Sequence, residues 1–354
     1  MLALKLYDVT DPAVAPLWQR LDAPNYYLSW SFVSAWLNAL PVERRPQLAI
    51  ASQDGVAQAG FLLGKRRLFR VLPSQALYLN ATGFDELGLA HSGLLRAPGS
   101  HVTLEQLVEL LPGSWDELHL PAIDPSTFPE LGRMGSRGGY RIQVDQEIGA
   151  PYVDLDAVRG VEGGYLAMLD PSVRAQIGRA RHDLGSLSVE LATDARHAMD
   201  IYGELLRLHA REKAAKGERG VFADPWFEQF HRGLIADRIA SGEIQLMRIT
   251  SATGTVGCLY NFVHHGRVIA YQSAFATFAD PHVEPGFLCH AAAVAHAAAA
   301  GLMRYELRET SARLATNATR LSWLRIHRPA VRFAIEDRLR DLTRVVRQRR
   351  LAAG

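Results

Sequence analysis

Two tight turns, Ser251-Ala252-Thr253-Gly254 and His264-His265-Gly266, cut the stretch from Glu243 to Ala276 into three short apolar-rich runs. Glycine in each turn supplies the positive φ that a hairpin needs, so the runs predict three antiparallel strands, Glu243–Thr250, Thr255–Val263 and Arg267–Ala276. Two helices are expected before them. Ala195–Lys216 carries Met199, Tyr202, Leu205, Leu206 and His209 on one face. Pro225–Ser241 has proline in its first turn and turns Trp226, Phe227 and Phe230 inward. After the hairpins comes the loop Thr277–Pro285, then an alanine-rich helix opened by Gly286 and ended by Gly301, then a strand over Met303–Arg308. Helix, helix, three antiparallel strands, loop, helix, strand is the pattern any fold for this chain must satisfy.

The first half holds a looser version of the same order. Ser31–Leu37 has helical spacing of Phe32, Trp36 and Leu37, and Gln53-Asp54-Gly55 turns a strand at Pro46–Ser52 into a partner beginning at Val56. A basic strand continues over Lys65–Val71, His101–Leu111 reads as an amphipathic helix, and Glu117–Leu120 as a strand. Residues 121–139 are rich in Pro, Gly and Ser, Tyr140–Val144 reads as a strand, and the pattern restarts at Tyr152, which puts a junction near residue 155. The repetition suggests an internal structural duplication. The fold class is therefore α+β. The expected domains are 1–155, 156–335 and an arginine-rich tail, 336–354.

Composition narrows the function classes. At 354 residues the length suits roughly two domains. A hydrophobic fraction of 48% with 21% charged residues excludes a disordered chain. The formal net charge of +2 argues against a dedicated nucleic-acid binder, whose surface would carry a broad basic excess. The two cysteines, Cys258 and Cys289, sit in apolar contexts and read as buried free thiols, in keeping with a cytoplasmic setting. The N-terminus has no leader pattern, and the longest run of small apolar residues, Phe287–Ala300, contains two histidines and is too short for a membrane span.

Four segments resemble the GNAT acyltransferase superfamily, in particular the CelD-like acetyltransferases, relatives of the Fem-like aminoacyl transferases that carry two GNAT-like domains in tandem. They are the basic helix Val173–Gly185; the long helix ending Arg211-Glu212-Lys213 before Gly217; the hairpin strand Gly257-Cys258-Leu259-Tyr260-Asn261-Phe262; and Glu284-Pro285-Gly286-Phe287-Leu288, equivalent to the family's Ser-Pro-Gly at the central helix. Ser31-Phe32 with Trp36 and the hairpin at Gly55 also fit, and the likeness spans most of residues 25–330. It implies two tandem GNAT-like domains, each a mostly antiparallel twisted sheet flanked by helices. It also implies an acyl-CoA-dependent N-acyltransferase acting on a small-molecule or peptide amine. A Fem-like enzyme drawing on aminoacyl-tRNA, and a non-catalytic GNAT scaffold, are the alternatives. One departure is plain: after the central helix the family has Asp-Phe, then Gly, then Tyr-Lys, where this chain has Tyr305 to Arg313, keeping an acid at Glu306 only.

Chemistry of that kind needs a pyrophosphate cradle, for which a glycine-bearing loop and a helix N-terminus are suited. Phe275, Ala276, Thr277, Val283, Pro285, Gly286 and Phe287 are the expected acyl-CoA contacts, although the Gln/Arg-x-x-Gly-x-Gly/Ala signature is absent. Deprotonating an amine needs a base. Glu306 is preferred, with Tyr271 and His264 as further catalytic candidates, and Tyr260, Gln272 and Arg308 as acceptor contacts. Strand alternation puts Arg304, Glu306 and Arg308 on one face and Tyr305 and Leu307 on the other. An inert ion-pair network is the competing reading of that trio. No metal-ligand spacing occurs among His182, His197, His209, His290 and His296, so no metal is expected. A Gly-x-Ser-x-Gly elbow is also missing, which speaks against an acyl-enzyme. The arginines of 174–181 and of 338–350 form basic stripes suited to phosphate, a carrier protein or anionic lipid, or simply to solvent.

Overall fold

The structure, a computed structural model, describes residues 1–69, 73–84, 92–136, 140–278, 280 and 283–328. The tail at 336–354 lies outside the described residues. In chain order the strands are β1 (Leu2–Tyr7), β2 (Gln47–Gln53), β3 (Val56–Phe69), β4 (Pro73–Leu79), β5 (Leu95–Arg96), β6 (Glu117–Ile123), β7 (Arg141–Asp154), β8 (Ser188–Leu191), β9 (Ile244–Ser251), β10 (Gly254–His264), β11 (Arg267–Phe275), β12 (Arg304–Glu306) and β13 (Asn317–His327). The α-helices are α1 (Val14–Trp18), α2 (Trp30–Ala39), α3 (Leu104–Glu109), α4 (Leu131–Ser136), α5 (Leu155–Gly160), α6 (Gly164–Met168), α7 (Pro171–Leu184), α8 (Ala195–Ala215), α9 (Pro225–Arg238) and α10 (Pro285–Ala299). Two compact units form. One holds Met1–Trp30, Leu40–Ile148 and the described residues from Leu321; the other holds Ser31–Ala39 and Gly149–Arg320. The chain crosses between them after Trp30, Ala39, Ile148 and Arg320, a division that a single cut at residue 155 does not capture.

In the first unit β1, β2, β3 and β4 pair antiparallel in sequence order, β4 pairs parallel with β6 over Ala76–Tyr78, and β6 pairs antiparallel with β13. Asp54 (φ 51°) and Gly55 (φ 81°) both take the left-handed conformation at the β2–β3 turn, the requirement behind the Asp-Gly signal. Phe61, Leu79, Leu104, Leu107, Trp115 and Leu118 are among the residues of the core. The helix expected over His101–Leu111 is shorter, because Thr103 and Gln106 close a capping box at its start.

In the second unit β8, β9, β10 and β11 pair antiparallel, β11 pairs parallel with β12, and β12 pairs antiparallel with β7. His265 (φ 46°) and Gly266 (φ 74°) make the same turn type at the β10–β11 hairpin. Helix starts follow the side-chain rules: Asp170, Asp194 and Asp224 accept hydrogen bonds from Ser172, His197 and Trp226 amides, and Pro171 and Pro225 occupy first turns. On one face of the sheet α10 buries Leu288, Ala291, Val294 and Ala298 with Leu259, Val268 and Tyr305. Its small residues let the helix backbone lie close to the strands. On the other face α8 buries Ile201, Tyr202, Leu205, Leu208 and His209, and α9 buries Phe227, Phe230, His231 and Leu234. Each large apolar side chain so buried contributes about 1.5–3 kcal/mol. Phe32 of α2 joins this face, edge-on to Phe230 at 5.5 Å and Phe262 at 5.8 Å. Both units are mostly antiparallel sheets flanked by helices, as the α+β reading requires.

Candidate functional site

The strand pair β11–β12 opens partway along. Arg267, Val268 and Ile269 pair with Arg304, Tyr305 and Glu306, and the ladder then stops. Leu307 donates its amide to Pro151 instead, while β11 runs on to Phe275. A gap therefore opens past Ile269, floored by α10 on one face and by α8 and α9 on the other. The register slips between Tyr260 and Asn261, so that Gln272 opposes Tyr260 and Ala270 opposes Asn261, leaving Tyr271 as a bulged residue. Bulges re-aim side chains, and this one lies at the lip of the gap.

The α8–α9 face of the gap gathers several expected residues. Arg308 Nη1 donates to Gln272 Oε1 at 3.3 Å across the opening. Glu306 is buried, with Arg304 Nε at 3.4 Å and Arg267 Nη1 at 3.7 Å from its Oε1. Tyr305 and Leu307 point the other way into the core, so alternation along this strand runs as expected. Tyr271 bonds through its hydroxyl to His231 Nε2 at 2.9 Å. Tyr260 is fully buried behind it, bonded to His231 Nδ1 at 3.2 Å. His264 stands apart: it pairs with Arg267 at the hairpin turn, five residues of β11 away from Gln272, about 16 Å at the usual strand rise.

Where β11 ends, the Ala276 amide donates back to Val256, and Phe275, Val283 and Phe287 pack on the core beside α10. Thr277 and Val283 belong to the loop that leads to the helix. The N-cap of α10 is Glu284, whose side chain makes no cap, and Pro285 occupies the first turn. A Cβ on Gly286 would meet Phe275 ring atoms at 3.2 and 3.3 Å, so glycine keeps this helix start slim. The guanidinium of Arg313 lies over the Phe287 ring at 5.3 Å, bringing a cation beside the helix N-terminus. The dipole and the cation both favour an anion there. In the first unit the start of α3 is already capped: Thr103 Oγ1 accepts from the Gln106 amide, and the buried carboxylate of Glu130, from outside the helix, accepts from the Leu104 amide at 2.6 Å.

Three histidines line this region that spacing alone did not assign. Burial lowers His231 to about 3 and His290 to about 4, so both are neutral at physiological pH. His290, on the α10 face, is bonded through Nδ1 to the Tyr305 hydroxyl at 3.1 Å. His209 is lowered by burial first and then by Lys213, with Arg308 contributing in the same direction. Beside His209 lies a cleft of about 400 Å³ walled by Leu206, Ala210, Phe222 and Ala223, with Lys213 and Arg219 at its rim. Only an isolated His between Phe227, Phe230 and Leu234 on a helix face hints at His231 in the sequence. His209 and His290 sit on apolar faces without a motif. Burial also pushes the thiol of Cys258 up to about 12 and that of Cys289 well above its usual range. Among the described residues no group of three or more His, Cys, Asp or Glu could hold a metal ion, and no helix is long and apolar enough to cross a membrane.

The family model for acetyltransferase (GNAT) domains matches residues 171–313, which contain the gap and α10. No curated protein matches the chain in sequence. Among solved structures, FemX superposes with a TM-score of 0.58 at 9% identity, covering 92% of this chain and 97% of that one. A conserved protein from Bacteroides thetaiotaomicron gives 0.54 at 10% identity, covering 93% of this chain and all (100%) of the other. L-PGS from Bacillus licheniformis gives 0.53 at 11% identity, covering 93% and 96%. At these identities the likeness is one of fold. Residues 171–313 thus match the acetyltransferase (GNAT) domain model, within a fold similar to those of FemX and L-PGS.

Proposed function

We propose that the protein is an acyl-CoA-dependent N-acyltransferase whose reacting centre is the β11–β12 gap. The observation that carries this reading is the parting of these two strands beside an uncapped helix start, together with the Gln272–Arg308 contact across the opening. In this reading the pyrophosphate lies at Pro285, Gly286 and Phe287 with Arg313 beside it, and Phe275, Ala276, Thr277 and Val283 border the pantetheine arm. The acyl thioester enters the gap. The acceptor enters from the α8–α9 face through the cleft at His209, which neighbours Arg308. Its apolar walls suit an amine bearing an apolar substituent. In this reading the donor does not bind at the start of α3 in the first unit, where Thr103 and Glu130 already occupy the helix-start amides.

The transfer balances without a covalent enzyme intermediate. The neutral amine nitrogen attacks the thioester carbon and the C–N bond forms. Gln272, Arg308 and Tyr271 supply hydrogen-bond donors for the oxyanion. The C–S bond then breaks, the amine proton passes to Glu306 directly or through water, and the departing thiolate takes up that proton from Glu306 through water, which restores the carboxylate. Glu306→Gln should lower kcat by roughly 10²–10⁴ with acyl-CoA affinity retained. Turnover close to wild type across the pH range would leave Glu306 as the partner of Arg304 and Arg267 only. A donor carried on tRNA is the competing reading, favoured by the fold likeness to FemX. The net charge of +2 counts against it, since tRNA binding draws on a broad basic face.

A further inference from the structure

We propose that His231 is a positioning residue for the transfer: its imidazole, held between the Tyr260 and Tyr271 hydroxyls, fixes the Tyr271 hydroxyl at the lip of the gap and sets the direction in which that hydroxyl offers its proton. The inference rests on the reading of the gap as the reacting centre.

The geometry is specific. His231 is fully buried, with Nδ1 at 3.2 Å from the Tyr260 hydroxyl and Nε2 at 2.9 Å from the Tyr271 hydroxyl. The ring is packed by Phe227 and Phe230 at 4.6 Å between centroids, and by Tyr271 at 5.0 Å and Tyr260 at 5.5 Å. A neutral imidazole has one N–H and one lone pair, so its two hydrogen bonds must run in the same sense. In one arrangement Tyr260 donates to Nδ1 and Nε2–H donates to the Tyr271 oxygen, and the Tyr271 proton is then aimed away from His231. In the other, Tyr271 donates to Nε2 and Nδ1–H donates to Tyr260, and Tyr271 presents lone pairs instead. His231 thereby ties the polarity of a phenol at the reacting centre to that of a phenol in the core.

Any fully buried imidazole needs both nitrogens hydrogen-bonded; what sets His231 apart is that one of its partners is Tyr271, on the bulge beside Gln272. Among the described residues no charged group makes a hydrogen bond to the ring. The closest ion pair on its helix, Glu228 with Arg232, is directed toward Tyr202, over whose ring Arg232 lies at 5.5 Å. Burial keeps the imidazole neutral, with its pKa near 3, so the two-bond arrangement persists across the working pH range.

Glutamine and asparagine separate the two bonds. Glutamine at 231 puts an amide nitrogen near the position of Nε2, and asparagine puts one near that of Nδ1. The test uses full-length protein carrying ¹³Cζ-tyrosine, with the Tyr271 resonance assigned from Tyr271→Phe, together with steady-state kinetics and thermal unfolding. His231→Gln should keep the Tyr271 resonance and hold kcat within about threefold. His231→Asn should shift the resonance and lower kcat about tenfold or more at unchanged acyl-CoA KM, and add nothing to Tyr271→Phe in the double variant. A Tyr271 resonance unmoved by His231→Asn would overturn the proposal. So would equal losses in both variants that track the unfolding temperature. If wild-type protein transfers no acyl group from CoA while the resonances behave as stated, the reading of the gap has failed and the coupling has not.

Discussion

Replacing Gly286 by aspartate tests the donor site through charge at one defined place. Gly286 lies in the first turn of α10, whose N-cap side chain leaves the helix start uncapped. An aspartate there would stand beside any bound pyrophosphate. Two unit charges about 6 Å apart at an effective dielectric near 20 interact by about 3 kcal/mol. Against a doubly charged pyrophosphate the repulsion is therefore roughly 3–4 kcal/mol after partial screening, or on the order of 10²–10³ in Kd. The fold should hold. An acid in the first turn is favourable to the helix by about 0.3–1 kcal/mol, and the added Cβ asks Phe275 to yield only slightly from contacts of 3.2 and 3.3 Å. Gly286→Asn adds the same Cβ without charge and should lose far less affinity. Calorimetric titration of CoA into both variants, with unfolding temperatures measured alongside, reads the effect. Equal affinity in the aspartate and asparagine variants, or an aspartate variant that binds like wild type, would refute the placement.

Three further outcomes follow from the same geometry. Cys258 and Cys289 are fully buried with raised pKa, so thiol reagents should label neither in the native state and both after denaturation, and a Cys258→Ser, Cys289→Ser protein that still folds should retain turnover. His231 and His290 have folded pKa values below their unfolded ones, so the unfolded chain binds more protons below about pH 6.5. Stability should be full above that value and fall toward pH 4 by up to about 1.4 kcal/mol per unit for each histidine, and a flat unfolding temperature from pH 7.5 to 5 would contradict this. Gly220→Ala would bring a Cβ to 2.4 Å from His209 Cε1, crowding the cleft, so it should raise the KM for the acceptor amine while leaving CoA affinity unchanged. An unchanged acceptor KM would place the acceptor elsewhere.

The sequence made legible what local physics decides. The turns at Gly55, Gly254 and Gly266, the proline in the first turn at Pro225 and the alternation around Glu306 all followed from short-range rules. Pairing partners did not. The strand expected over Met303–Arg308 is only Arg304–Glu306, because β11 departs and Leu307 turns to Pro151. Likewise β1, β13 and the parallel β4–β6 pairing depend on neighbours far away in sequence, and α2 joins the second unit through Phe32 contacts nearly 200 residues distant. The candidate site divides in the same way. Tyr271 and Gln272 lie on β11, a strand the hairpin turn made readable, whereas the bulge that re-aims Tyr271 and the turn that carries Arg308 past the end of β12 were not. Histidine 231 takes its role from two tyrosines on other elements, and Arg313 reaches α10 only through the fold. The closing of the first unit's helix start by Glu130, 26 residues from Leu104, was equally out of reach of a local reading.

Amine-dependent release of CoA thiol is the measurement closest to the central claim, and the buried cysteines keep the protein itself silent in such an assay. With an acyl-CoA series and a panel of amines bearing apolar substituents, the account predicts thiol release that requires the amine, matches acylated product one for one, and disappears in Gly286→Asp. Release that ignores the amine, or no release from any acyl-CoA while aminoacyl-tRNA is deacylated in an amine-dependent manner, would contradict it.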